Sequence, residues 1–197
     1  ASPARRPSAV AQHYCLVDHE RPGLEGLISM VGVKYTTARD VAEKTVNLVC
    51  AKLQRSAPTG LTRTTPLIGG DIPRIDTFVH EAMREQPWGL GATILRGLIE
   101  RHGSGYPEVL RLGRENLIWA EPVVAGRTAL KAEVVHAVRH EMAMTLSDVI
   151  FRRTGLGAAG HPGTDAVQAC TAMMAQELGW DAMRAAREVA ELEATFK

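Results

Sequence analysis

Apolar and polar positions alternate near the start of the chain and fall into helical spacing after it. Between His13 and Val33, HYCLVDH and LEGLISMVG are alternating or apolar, and ERPG between them has turn chemistry. The pattern predicts a β-hairpin, or two strands of a larger sheet. A two-stranded hairpin is marginal alone, so these strands are expected to pair further or to pack on the helix that follows. From Thr36 the period lengthens, with Val41, Thr45, Leu48 and Val49 on one face and Ala42, Val46 and Leu53 beside them. Thr37 and Asp40 have the spacing of a capping box, and SAPTG ends the helix near Arg55. TTPLIGGD then reads as a linking loop.

Helical segments of modest length follow, over 72–86, 91–102, 107–114, 131–153, 164–178 and 181–196, divided by Gly and Pro. The 131–153 segment places Val134, Val138, Met142, Thr145 and Val149 on one stripe. It also contains TLSD, a second capping-box pattern, which predicts a kink or a new helix between Ala143 and Ser147. Gly179 followed by Trp180 suits a C-terminal cap whose next residue folds back as an apolar lid. The fold class expected is mainly α: a short β-hairpin and one long helix in residues 1–58, then a compact all-α domain over 59–197. Internal repeats and low-complexity tracts are absent from the sequence.

Composition narrows the class without deciding it. Apolar residues make up 45% of the 197 positions, charged residues 23%, and the net charge is +1. A core is affordable, and bulk charge draws the chain to neither nucleic acid nor anionic lipid. Cys15, Cys50 and Cys170 are odd in number and widely spaced, which argues against a disulfide framework or a cysteine zinc site and for a reducing cytoplasm. ASPARRPSAV at the start lacks the apolar core of a signal peptide, and no stretch approaches the ~18 apolar residues of a membrane span.

Four constellations could carry chemistry. GLGAAG matches G-x-G-x-x-G through Gly155, Gly157 and Gly160, but a helical pattern precedes it where a dinucleotide fingerprint needs a strand, so it reads as a helix connection. EVVHAVRHE sets Glu133 and His136 as E-x-x-H, with His140 one turn on. Carboxylate-bundle metal sites need a second such motif, which the sequence lacks. The expectation is no metal site, with Glu141 and the histidines pairing with Arg152 and Arg153. Those two arginines could bind phosphate, but Asp148 at i,i+4 from Arg152 and the helix dipole explain them more simply. GVKYTTARD is the fourth. Gly32 permits close approach or positive φ, Lys34 brings a point charge, and the amides around Tyr35 to Ala38 are free donors at a helix start. The pattern reads equally as an anion or polarised-oxygen site and as a capped helix with an exposed lysine.

Taken in order from about Tyr14 to Arg187, LISMVGVKYTTARDVAEKTVNLV, TPLIGG, EVVHAVRHEMAMTLSDVIFRRTGLG and MAQELGW resemble the C-terminal part of the FAD-dependent, quinone-linked glycerol-3-phosphate dehydrogenase family. The resemblance implies a fragment: residues 1–58 as the tail of a flavin-binding domain, and 59–197 as the family's helical C-terminal domain. The segment like VGVKYTTAR closes on the flavin in that family. It carries over as cofactor-side residues Gly32, Val33 through its backbone, Lys34 and Thr36, although many members have a second glycine where Val33 stands. No catalytic residue is expected within this chain.

The resemblance further implies FAD, glycerol 3-phosphate and quinone as cofactor and partners of the parent, together with an N-terminal FAD domain. The fragment alone is expected to bind no cofactor and to be inactive. Cytoplasmic placement is expected, with peripheral association at the inner membrane open for the parent, and no nucleic-acid partner. Two alternatives stand beside this reading: a free-standing helical interaction module, and the same domain of an oxygen-using glycerol-3-phosphate oxidase.

Overall fold

The structure, a computed structural model, describes residues 13–19, 21–32, 34–85 and 87–196. It divides into two compact units, Ala1–Thr65 and Pro66–Lys197.

In the first unit, β1 (Cys15–Asp18) and β2 (Ile28–Val31) form an antiparallel pair with Cys15 opposite Val31 and Asp18 opposite Ile28. The expected hairpin is present, and α1 (Ala38–Lys52) lies back along it. Lys52 pairs with Asp18 on β1, and Lys44 donates to the Tyr14 hydroxyl at 2.8 Å. The predicted apolar face of α1 is only partly covered. Val41 is buried and Thr45 and Leu48 are half-buried, yet Val46, Val49 and Leu53 are exposed, as are Met30 and Val31 on β2.

The expected Thr37–Asp40 capping box does not form. A single 3₁₀ turn, Tyr35–Thr37, comes before α1, so Thr37 already has helical φ and ψ. Its hydroxyl turns back to donate to the Lys34 carbonyl at 3.0 Å, while Asp40 pairs with Lys44 at 2.8 Å.

The second unit is helical: α2 (Ile75–Glu85), α3 (Ala92–His102), α4 (Tyr106–Glu115), α5 (Lys131–Glu141), α6 (Thr164–Leu178) and α7 (Ala182–Ala194). Pro73 disfavours helix at Ile72 and delays α2 beyond the expected start. Helix α5 is the axis of the unit. Its Leu130 flank, Ala132 and Val135 join an apolar cluster with Val79, Leu95, Leu98, Ile99 and Val109, while Val134 and Ala137 join another with Leu146, Ile150, Val167, Met174 and Leu192. Cys170 is fully buried in the latter, and that burial pushes its thiol up to about 12, which makes it an inert core residue.

Predicted breaks appear where local chemistry demands them. The helix ends at Glu141, with Met142 in the left-handed region and Ala143 N–H returning to the Ala137 carbonyl at 3.0 Å. The chain then restarts through the TLSD cap: Asp148 N–H donates to Thr145 Oγ1 at 3.2 Å, and Thr145 N–H donates to Asp148 Oδ2 at 2.9 Å. A π-helical stretch, Asp148–Arg153, continues from it. Gly179 closes α6 with φ 66°, and Trp180 packs against the core as the expected lid.

Glycine in TPLIGG has a packing reason as well. Gly69 and Gly103 meet backbone to backbone, with Ser104 N–H on the Gly69 carbonyl at 3.0 Å. A Cβ on Gly103 would lie 1.8 Å from that carbonyl oxygen. Among the described residues, no helix is long and apolar enough to cross a membrane.

Candidate functional site

The strand-to-helix corner of the first unit carries the residues singled out from the sequence. Strand β2 runs out at Val31, Gly32 follows, and Lys34 is extended (φ −144°, ψ 132°) before the Tyr35–Thr37 turn. Within that turn, the Thr37 and Ala38 N–H groups are taken by the Lys34 and Tyr35 carbonyls. The Tyr35 and Thr36 amides stand ahead of the first turn bond, where helical geometry supplies no partner. The corner borders a depression of about 450 Å³ lined by Met30, Gly32, Lys34, Tyr35, Thr37, Ala38 and Val41.

Gly32 and Lys34 thus share one wall. Thr36 is exposed on the same turn but does not line the depression, and Val33 lies outside the described residues. Thr37 and Ala38 line it where Thr36 was expected. Met30 was not anticipated, though the two-residue repeat of a strand would have placed it on the same side as Gly32.

Gly32 needs correction on one point, because its φ is not positive. A Cβ there would meet only Met30 Sδ, at an ordinary 3.4 Å. Glycine at this position is therefore not demanded by the chain's own backbone.

The E-x-x-H residues of α5 sit in a different environment from the one expected. Glu133 is buried among apolar neighbours and is held by Arg101, by His102 Nε2 at 3.0 Å and by the Leu130 N–H at 2.7 Å. Burial pushes its carboxyl up. The hydrogen bonds from His102, Arg101 and Leu130 outweigh that and keep it below the usual carboxylate range. Its side-chain partners, His102 and Arg101, are thus 31 and 32 residues away on α3. Of the expected pairings, Glu141 meets Arg153, through its carbonyl at 2.9 Å and its carboxylate at 3.7 Å, while Arg152 pairs with Asp148 at 2.6 Å, as its spacing implied.

His136 lies between His102 and His140, edge-on to the former at a ring-centroid distance of 5.4 Å and tilted to the latter at 5.1 Å. Burial pulls its pKa down, so the ring is neutral at physiological pH. GLGAAG follows the π-helical stretch, and Gly157 N–H returns to the Ile150 carbonyl at 3.0 Å, which is the geometry of a helix connection.

Comparison with known proteins places the second unit. The family model described as the C-terminal domain of alpha-glycerophosphate oxidase matches residues 60–185. The chain belongs to this family. Relatives of the glycerophosphate oxidase C-terminal family extend the likeness across both units. A glycerol-3-phosphate dehydrogenase of a Synechocystis species is 30% identical over 177 residues, covering 89% of this chain and 32% of that protein. A probable mitochondrial glycerol-3-phosphate dehydrogenase of Dictyostelium discoideum is 36% identical over 166 residues, covering 83% of this chain and 25% of that protein. The crystal structure of the glycerol-3-phosphate dehydrogenase of Bacillus halodurans, complexed with FAD, superposes with a TM-score of 0.69 at 28% identity. It covers 86% of this chain and 35% of that one. The chain therefore spans a third or less of the length of these curated relatives.

Proposed function

We propose that this chain is the C-terminal part of an FAD-dependent glycerol-3-phosphate dehydrogenase, and that residues 32–38 face the flavin of the complete protein. The observation that carries the reading is the corner of the first unit. Strand end, glycine, lysine and helix start line one depression there, in a chain that is similar over 86% of its length to an FAD-bound relative. The donor set fits the polar edge of a flavin ring: one ammonium, amides ahead of a helix, and a glycine that leaves the backbone open to close approach. It supplies only one wall. The exposed Val46, Val49, Leu53, Met30 and Val31 are where the rest of a flavin domain would be covered.

When bound, FAD would supply the hydride acceptor for oxidation of the secondary alcohol of glycerol 3-phosphate to the ketone of dihydroxyacetone phosphate, with the hydroxyl proton leaving to a base in the rest of the complete protein and quinone as the final electron acceptor. Lys34 and the Tyr35 and Thr36 amides would hold the negative charge that gathers on the ring as the hydride arrives. That is stabilisation by groups already in place before the reaction. Gly32 would let the chain run close beside the ring. The second unit is assigned no chemical step, and the chain alone is not expected to turn over.

Oxygen is the competing acceptor, because the matching family is described from an oxidase. The test uses both the chain and the longer protein encoded by its reading frame. The longer protein should purify yellow and reduce an artificial acceptor, or a quinone, with glycerol 3-phosphate. The chain alone should be colourless and inactive. Stoichiometric hydrogen peroxide would transfer the reading to an oxidase. Turnover by the chain alone, or a longer protein without flavin, would refute it.

A further inference from the structure

Glu133 and Arg101 explain why the α3–α5 contact holds together, but they leave a second polar group of the same cluster unexplained. His136 is the residue in question. Its Nδ1 is buried and has no hydrogen-bond partner, an uncommon state for a buried nitrogen. It points to the last turn of α5, where Glu141 Oε1 lies 4.0 Å away. His102 completes the group. Its Nε2 is engaged by Glu133, so the ring's other nitrogen, Nδ1, is the one left to bind something. One ligand atom from each of His102, His136 and Glu141 lies within 4.8 Å of the others.

We propose that His102, His136 and Glu141 form a binding site for a divalent transition-metal ion of the zinc class. Two imidazoles and one carboxylate are a donor set that favours zinc, cobalt or nickel over magnesium or calcium, which prefer all-oxygen shells. Three protein ligands leave a fourth position for water. A tetrahedral ion with bonds of about 2.0–2.1 Å separates its ligand atoms by roughly 3.4 Å, so the ligand atoms, within 4.8 Å of one another, must close by up to about 1.4 Å. Glu141 can supply much of that movement. Its side chain is 26% exposed, against 7% for His102 and 14% for His136, and it forms the open side of the cluster.

The surroundings have the features that hold metal ligands in place. Ligating histidines commonly donate their other N–H to a carboxylate, which fixes the tautomer and the ring plane. Glu133 stands in that relation to His102 and is itself fixed by two Arg101 hydrogen bonds. Arg153 lies 3.7 Å from Glu141 Oε2, which leaves Oε1, the oxygen nearer His136, for the ion. The spacing that drew attention to Glu133 and His136 therefore marks a supporting carboxylate and a ligand. The second half of the site comes from α3 and from the end of α5.

The purified chain, treated with a chelator and freed of it, is titrated with Zn²⁺ by calorimetry and with Co²⁺ by visible absorption. One equivalent should bind with a dissociation constant of about 10 µM or tighter, and Co²⁺ should develop the absorption of a low-coordinate site. His136→Gln and Glu141→Gln should each weaken binding at least tenfold, while His140→Gln, on the exposed neighbour, should not. His136 is partly buried and its variant could lose structure, so Glu141→Gln, checked by circular dichroism, carries the decision. Zn²⁺ should raise the melting temperature of the wild type and leave that of Glu141→Gln unchanged. No saturable binding, or binding that Glu141→Gln leaves intact, would overturn the proposal.

Discussion

Arg101 grips Glu133 by two parallel hydrogen bonds, Nε to Oε1 at 2.5 Å and Nη2 to Oε2 at 2.8 Å, and so ties the end of α3 to the first turn of α5. Every neighbour of Glu133 along α5 from Ala132 to Val135 is buried, so the carboxylate has no route to water and depends on its partners. Removing one member of a buried pair leaves an uncompensated charge, at a cost of about 3–5 kcal/mol. Arg101→Met should destabilise the chain by that much in urea unfolding. A loss below about 1 kcal/mol would mean that the pair behaves like one on the surface.

Asp148 gives the chain a pH dependence with a definite sign. Burial pushes its carboxyl up, but hydrogen bonds from the Thr145 hydroxyl and from the Met144 and Thr145 amides, with Arg152 close by, hold it below its ordinary value of 3.8. A depressed carboxyl contributes stability that is complete above its unfolded pKa and is lost as pH falls through the folded one. Asp148→Ala should therefore cost about 1–2 kcal/mol near neutrality, the usual worth of a cap. The gap from wild type should narrow once the pH drops below 3.8. Denaturant melts at neutral pH and in acid check this, and a gap that does not change with pH would contradict it.

Gly113 in α4 sets two effects against each other. Helix propensity alone favours Ala over Gly by about 1 kcal/mol. A Cβ at this position, however, would lie 2.1 Å from the Trp88 ring, whose backbone is held at φ 58°. Overpacking of that kind costs about 1–3 kcal/mol, so steric conflict decides the sign. Gly113→Ala should lower the melting temperature, with the near-ultraviolet signal of Trp88 altered. A stabilised variant would show that the indole moves aside freely.

What the sequence revealed divides along the same physical line. The TLSD restart and the Gly179–Trp180 cap were readable because both partners lie within a few residues and the side chains dictate the turn. Thr37–Asp40 has the same spacing but failed, since one 3₁₀ turn inserted ahead of α1 changes which residue is the cap. The partners of Glu133 were not readable, because Arg101 and His102 reach it only after α3 and α5 pack. Glu188 on α7, which accepts the Leu146 N–H at 2.8 Å from 42 residues away, was hidden for the same reason. At the candidate flavin site, Gly32 and Lys34 were legible as a local motif. The wall they share with Met30, Thr37 and Ala38 depends on how β2 turns into α1.

Lys34 tests the central claim most directly. In the complete, FAD-loaded protein, Lys34→Met is mixed with glycerol 3-phosphate in a stopped-flow instrument and the bleaching of the flavin is followed, alongside its reduction potential. A preorganised charge at the site of developing negative charge is commonly worth ~2–4 kcal/mol, or roughly two orders of magnitude in rate. The account predicts flavin reduction about 100-fold slower and a lower potential, with the helical unit's melting unchanged. Wild-type rate and potential in the variant would contradict it and leave Lys34 as an exposed residue beside a helix start.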